Sequence, residues 1–129
     1  MKAHAGVALG LSLLSSTGFA HAGQTIASPP VRRAGGQLAT TACYVRNVGT
    51  RPVSVTVQIT DEAGASLTPS FQNCNTPILP GRTCVVLAGN GGGEFAGCSA
   101  TASGSAKHLR GTMESRDSNL DVVHAEDLR

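Results

Sequence analysis

The chain has 129 residues, a formal net charge of +2, aromatics at only 3% of positions and no tryptophan. That length accommodates one domain with a small core, and the near balance of 10 Lys and Arg against 8 Asp and Glu excludes the concentrated basic composition of a nucleic-acid binder. Val, Ile, Leu and Ala must therefore fill the interior, and electrostatics read from composition names no partner.

Residues 1–22 read as an address. Met1, Lys2, Ala3 and His4 make a short positive start, Ala5 to Leu14 run apolar and small, and Ala20 and Ala22 form the small-x-small exit that a signal peptidase needs. Cleavage is expected between Ala22 and Gly23. A membrane span needs about 20 apolar residues, and this run is half that. No Cys follows the cleavage point to carry a lipid, and no apolar tail closes the chain at Arg129. The expected product is soluble, secreted or periplasmic in a bacterium, and free of any membrane span once the signal is removed.

Residues Gly23 to Gly36 mix Ser28, Pro29, Pro30, Arg32, Arg33, Gly35 and Gly36 and follow neither helical nor strand periodicity, so they read as a flexible N-terminal leader. A β domain is expected over 37–129. Its first strand carries Cys43, Val45 and Asn47 on one face, Tyr44, Arg46 and Val48 on the other, and ends at Gly49. Val53, Val55, Val57 and Ile59 then alternate with Ser54, Thr56, Gln58 and Thr60, the pattern of a half-buried antiparallel strand. Gly49, Thr50, Arg51 and Pro52 read as a short hairpin between these two, with Pro52 at the strand's start. Asp61 to Gly64 make the next turn. Further strands are expected around Ser66 to Phe71, over Thr83 to Ala88 with Cys84 and Val86 on one face, over Glu94 to Ala102, over Lys107 to Ser115, and over Leu120 to His124, with Gly89 to Gly93 as a flexible connector. No window shows an apolar stripe at helical spacing. Six or seven short strands separated by turn residues predict an all-β antiparallel sandwich.

Cys43, Cys74, Cys84 and Cys98 are an even set in an exported chain, which reads as two disulfides. Four cysteines permit three pairings. Pro77, Pro80 and Gly81 supply the turn chemistry that brings Cys74 to Cys84, and Cys43 would then clip to Cys98 across two distant strands. The intervals between the cysteines do not fit the close ligand pairs of a zinc site.

The segments Cys43-Tyr-Val-Arg-Asn47-Val-Gly49, Pro52-Val-Ser-Val-Thr-Val-Gln-Ile59 and Leu79-Pro-Gly-Arg-Thr83 resemble exported bacterial immunoglobulin-like domains, in which an opening strand ends in Asn-x-Gly and a Pro-Gly turn leads a later strand. The chain as a whole is similar to small secreted bacterial proteins of unassigned function. The resemblance implies an immunoglobulin-like sandwich and brings no catalytic residues with it. The chain departs from the antibody pattern in having no Trp.

Constellations that could carry chemistry are sparse. After signal removal only His108 and His124 remain for a Ser-His-acid set, and neither stands in a nucleophile elbow. Asp61 and Glu62 adjoin in a turn and should point apart into solvent, unlike a glycosidase pair. Asp117, Asn119 and Asp121 alternate like the opening of a calcium loop, but Val122 and Leu128 stand where the loop needs Gly and Glu. Gly89 to Gly93 lacks the Lys-Ser or Lys-Thr of a phosphate loop. The expectation is a monomeric, non-enzymatic accessory or binding domain of the envelope or the medium. It needs no cofactor or metal, and it contacts an unknown protein or glycan rather than nucleic acid. The alternatives are a small secreted hydrolase, or an inhibitor acting through the Cys74 to Cys84 loop.

Overall fold

The computed structural model describes residues 23–35, 39–89 and 93–129. The expected signal segment with Ala22, the end of the expected leader at Gly36, and the middle of the Gly89 to Gly93 connector lie outside them. The described residues form nine strands and no helix: β1 (Thr25–Ala27), β2 (Val31–Arg32), β3 (Thr40–Asn47), β4 (Val55–Asp61), β5 (Pro69–Gln72), β6 (Thr83–Gly89), β7 (Phe95–Ala102), β8 (Leu109–Arg116) and β9 (Val122–Leu128). They build two antiparallel sheets. One runs β5-β6-β3-β8-β9. In the other, β7 pairs with β4 along its whole length, so β1 and β2 follow one another on its opposite edge.

The period-two pattern is what buries the inner faces. Cys43, Val45 and Asn47 of β3, Cys84, Val86 and Ala88 of β6, Val57 and Ile59 of β4, and Ala96, Cys98, Ala100 and Ala102 of β7 all point into one core. Leu109 and Met113 from β8, Val31 from β2 and Leu128 from β9 complete it. Small side chains on β7 let the layers draw together. Cys43 and Cys98 are bridged with a Cα separation of 6.1 Å, well inside the roughly 10 Å that separates stacked sheets. Cys74 and Cys84 form the second bridge, closing the loop between β5 and β6.

Three features differ from the sequence reading. Residues 23–35 are not a free leader. Ile26 lies opposite Ala100 and Val31 opposite Ala96 on β7, and Val31 is fully buried. The consecutive prolines Pro29 and Pro30, which lack N–H donors, interrupt the ladder between β1 and β2 and hide the strand signal. The Arg33 guanidinium then donates to the Gly89 carbonyl at 2.8 Å and the Ala34 N–H to the Ser115 hydroxyl at 2.7 Å, carrying the segment across to the five-stranded sheet. The last strand runs later than Leu120 to His124, because Asp117 to Asp121 form a turn and pairing with β8 begins only at Val122.

The third difference is the connection from β3 to β4, which is not a hairpin. β3 pairs with β6 and β8, β4 with β7, and the chain crosses between the layers. Asn47 makes the crossing. Its side chain is completely buried, its amide donates to the carbonyls of Arg51 at 2.7 Å and Ile78 at 2.9 Å, and its carbonyl oxygen accepts the Gly49 N–H at 2.8 Å. A Cβ on Gly49 would stand 3.0 Å from the His108 Cβ, so the Asn-x-Gly pattern reflects both a side-chain cap and a close approach.

Two stability outcomes follow from this. Asn47→Ala removes the side-chain partner of the Arg51 carbonyl and of the Gly49 N–H, while the Ile78 carbonyl keeps the Val53 N–H, and should cost about 1–3 kcal/mol, read as a drop in the urea midpoint at unchanged slope; a loss under about 0.5 kcal/mol, within the range of ordinary surface substitutions, would show that the corner is not held by this amide. Replacing Cys43 and Cys98 together by Ala should cost roughly 4 kcal/mol and replacing Cys74 and Cys84 roughly 3 kcal/mol, because the first bridge closes the longer loop. Equal losses in the two double variants would contradict that ranking.

Candidate anion-binding end of the sandwich

The positive charges are dispersed along the sequence, but the fold collects them. Because β3, β4, β6, β7, β8 and β9 run antiparallel, the C-terminal end of β3, the start of β6, the start of β8 and the end of β9 all lie at one end of the sandwich. That end carries Arg46, Arg51, Arg82, Lys107, Arg110 and Arg129, with Asp127 as the acid among them. The opposite end carries Asp61, Glu62, Glu94, Glu114, Asp117 and Asp121, interspersed with Arg32, Arg33 and Arg116. The molecule is therefore polarised along its strand axis although its net charge is small.

Arg46 and Arg110 stand directly opposite one another on β3 and β8, a like-charge juxtaposition that costs about 0.2–1 kcal/mol. Two hydrogen bonds from Arg110 Nη1, to the carbonyls of Lys107 at 3.0 Å and Leu109 at 2.7 Å, hold its guanidinium in place. Among the described residues none of Arg46, Arg51, Arg82 and Lys107 forms an ion pair. Arg116, at the other end, is committed: its Nε and Nη2 donate to Glu114 Oε2 and Nη2 donates to the Tyr44 hydroxyl. The Glu114 hydrogen bond raises the Arg116 guanidinium above its usual value, burial works against it, and Tyr44 adds to it.

Two depressions meet at Arg110. A cleft of about 720 Å³ opens between β1, the turn before β8 and the end of β9, with Gln24, Lys107, Arg110, Asp127 and Arg129 on its walls. A shallower one of about 330 Å³ lies on the outer face between Tyr44, Arg46, Thr83 and Arg110, and reaches along the strands to Glu114, whose carboxylate is paired with Arg116. Their walls offer guanidinium and ammonium donors to an anion, and Arg adds the planar fork that matches carboxylate and phosphate oxygens.

The rim of this end is rigid. Leu79, Pro80, Gly81 and Arg82 form a turn closed by the Arg82 N–H donating to the Leu79 carbonyl at 3.0 Å, with Gly81 at φ +73°, the conformation a Pro-Gly pair is suited to. The Gly81 N–H donates to the Asn47 carbonyl and the Asn47 N–H to the Arg82 carbonyl, while the Val48 N–H donates to the His108 carbonyl. Ile78 and Val53 exchange both backbone hydrogen bonds, tying the Cys74 to Cys84 loop to the second sheet. Ile78 is the one buried residue between the two cysteines and docks the middle of that loop, leaving Asn75 to Pro77 and Leu79 to Thr83 exposed on either side.

The residues singled out in the sequence do not converge. His108 lies on the basic rim beside Gly49. His124 is on β9, toward the other end, with Nε2 3.3 Å from Glu126 Oε1. Ser115 stands opposite His124 in the ladder, but its hydroxyl accepts the Ala34 N–H. Asp61 and Glu62 are not simply solvated: Asp61 Oδ1 accepts the N–H groups of Ala63 and Ala65, and Glu62 Oε2 that of Glu94. Asp117 Oδ1 accepts the N–H groups of Asn119 and Asp121, capping a turn in which Leu120 takes a positive φ of 69°. Among the described residues no group of three or more His, Cys, Asp or Glu is placed to hold a metal ion, and no helix is long and apolar enough to cross a membrane. What sequence reasoning missed is the basic end, because it gathers cations from three stretches of the chain, Arg46 to Arg51, Arg82, and Lys107 onward, that only the pairing of β3 with β6 and β8 brings together. No family model, curated protein or solved structure matches the chain.

Proposed function

We propose that the protein is an exported, non-enzymatic accessory domain that works by surface contact, using its basic end to bind an anionic partner in the bacterial envelope or the surrounding medium. The observation that carries this reading is the clustering about Arg46 and Arg110 of cations without an acidic partner among the described residues, a like-charge arrangement across the β3–β8 pair that weakens the fold. Two disulfides in a chain of this size support an oxidising compartment. The immunoglobulin-like reading of the fold belongs to the same proposal. A bridge between the two layers, from β3 to β7, supports it, whereas β8 and β9 extend the sheet of β3, a departure from the order of antibody domains.

Retention on an immobilised sulfated or carboxylated polysaccharide tests the proposal. The wild-type protein should be retained at 0.05 M salt and released as the Debye length contracts to about 8 Å near 0.15 M and below that at higher salt. Arg46→Glu should weaken retention while leaving stability unchanged or raised by about 0.2–1 kcal/mol, since it turns a like-charge cross-strand pair into an opposite-charge one. Retention indifferent to this reversal, or turnover of a hydrolase substrate panel, would overturn the reading.

A further inference from the structure

We propose that the anionic partner of the basic end is a lipid surface, onto which the sandwich docks end-on with Leu79 and Val48 entering the headgroup layer. The inference rests on the anion-binding reading above and narrows it to one class of partner. Leu79 is 55% exposed at the tip of the Leu79 to Arg82 turn, and Val48 is 49% exposed at the end of β3. The hydrogen bonds joining Gly81 to Asn47 and Val48 to His108 place the turn, the strand end and the segment before β8 side by side. Two apolar side chains therefore project from a rim carrying Arg46, Arg51, Arg82 and Lys107.

That combination is what binding to an anionic leaflet requires: apolar groups to enter the boundary region and surrounding cations to be drawn to the negative surface. Alternative partners fit less well. Single-stranded nucleic acid is held by aromatic stacking platforms, and among the described residues no exposed aromatic stands on this rim, since Phe71 pairs with Leu87 on β5 and Phe95 opens β7 at the far end. A protein interface is ordinarily centred on aromatic anchors; Tyr44 lines the shallower depression but is part-buried with its hydroxyl engaged by Arg116, and the exposed apolar side chains of the rim are Leu79 and Val48. A soluble acidic glycan would use the cations but has no use for Leu79. Preorganisation favours insertion, because the Cys74–Cys84 bridge and the Ile78–Val53 pair hold the tip without any ordering on contact.

The test is co-sedimentation with vesicles of the oxidised chain from Gly23 to Arg129, the expected product after signal removal. Phosphatidylglycerol mixed with phosphatidylcholine is compared with phosphatidylcholine alone, with dextran sulfate retention and a single-stranded oligonucleotide as parallel arms. The expected result is binding to the anionic vesicles and none to the zwitterionic ones. Leu79→Ser should weaken vesicle binding about five- to ten-fold while leaving dextran sulfate retention unchanged, and Arg82→Glu should lower both, by about five-fold or more on vesicles. Leu79 and Arg82 are exposed, so both variants should fold, with circular dichroism and a thiol count as the check. Vesicle binding unaffected by Leu79→Ser, or binding to dextran sulfate or oligonucleotide without vesicle binding, would overturn the lipid assignment and leave the anion-binding reading standing. Binding to none of the three would end both.

Discussion

The buried side-chain amide of Asn47 stands where three segments meet, the end of β3, the crossing to β4 and the disulfide loop before β6, and it adds to the backbone hydrogen bonds that join them. A buried amide in so small a domain is tolerable only when its donors and acceptor are satisfied. Here both N–H groups and the oxygen have backbone partners, Gly49 and Arg51 in the crossing to β4 and Ile78 in the disulfide loop. The amide fixes the carbonyl of Arg51 and the N–H of Gly49, the Val53 backbone shares the docking of Ile78, and the Val48 N–H holds the crossing against His108. The surface built on these turns is in consequence a fixed shape rather than a set of independent loops.

Elsewhere the fold relies on economy of volume. Without Trp and with few aromatics, the core is assembled from Val, Ile, Met and a row of alanines on β7, and it gains little from any single side chain. Small residues let the sheets approach, and that approach is what brings Cys43 within bridging distance of Cys98. The bridge and the light core are thus two aspects of one arrangement. A bulkier β7 would bury more surface but separate the cysteines.

Against this background the distribution of charge is costly. Cations that could have been interleaved with acids are instead gathered at one end, with Arg46 facing Arg110, while acids gather at the other and are used up in capping turns, as Asp61 and Asp117 do. Acids engaged in caps cannot neutralise the distant arginines. The result is a small molecule with a strong axial polarity, a rigid basic rim and two apolar tips, properties that suit it to meeting an extended anionic surface end-on.

Much of this was legible in the residues themselves. The alternation over Cys43 to Asn47 and Val53 to Ile59 defines which side chains face inward, since the period of a strand is a local property, and the Pro80-Gly81 turn and the capping Asp61 act within a few residues. Strand identity failed where proline interrupted the pattern, at β1 and β2, and strand pairing failed at Gly49 to Pro52, where a connection short enough for a hairpin instead spans two layers. The basic end was invisible for a related reason. Its three groups of cations, Arg46 with Arg51, Arg82, and Lys107 with Arg110, are separated by whole strands, and only antiparallel packing decides which connections share an end. The sequence by itself determined the strands from β3 onward, their inward faces and the thiol chemistry, because each depends on neighbours along the chain. Tertiary structure alone decided the layer to which each strand belongs, and with it the meeting of charges that gives this protein its one distinctive surface.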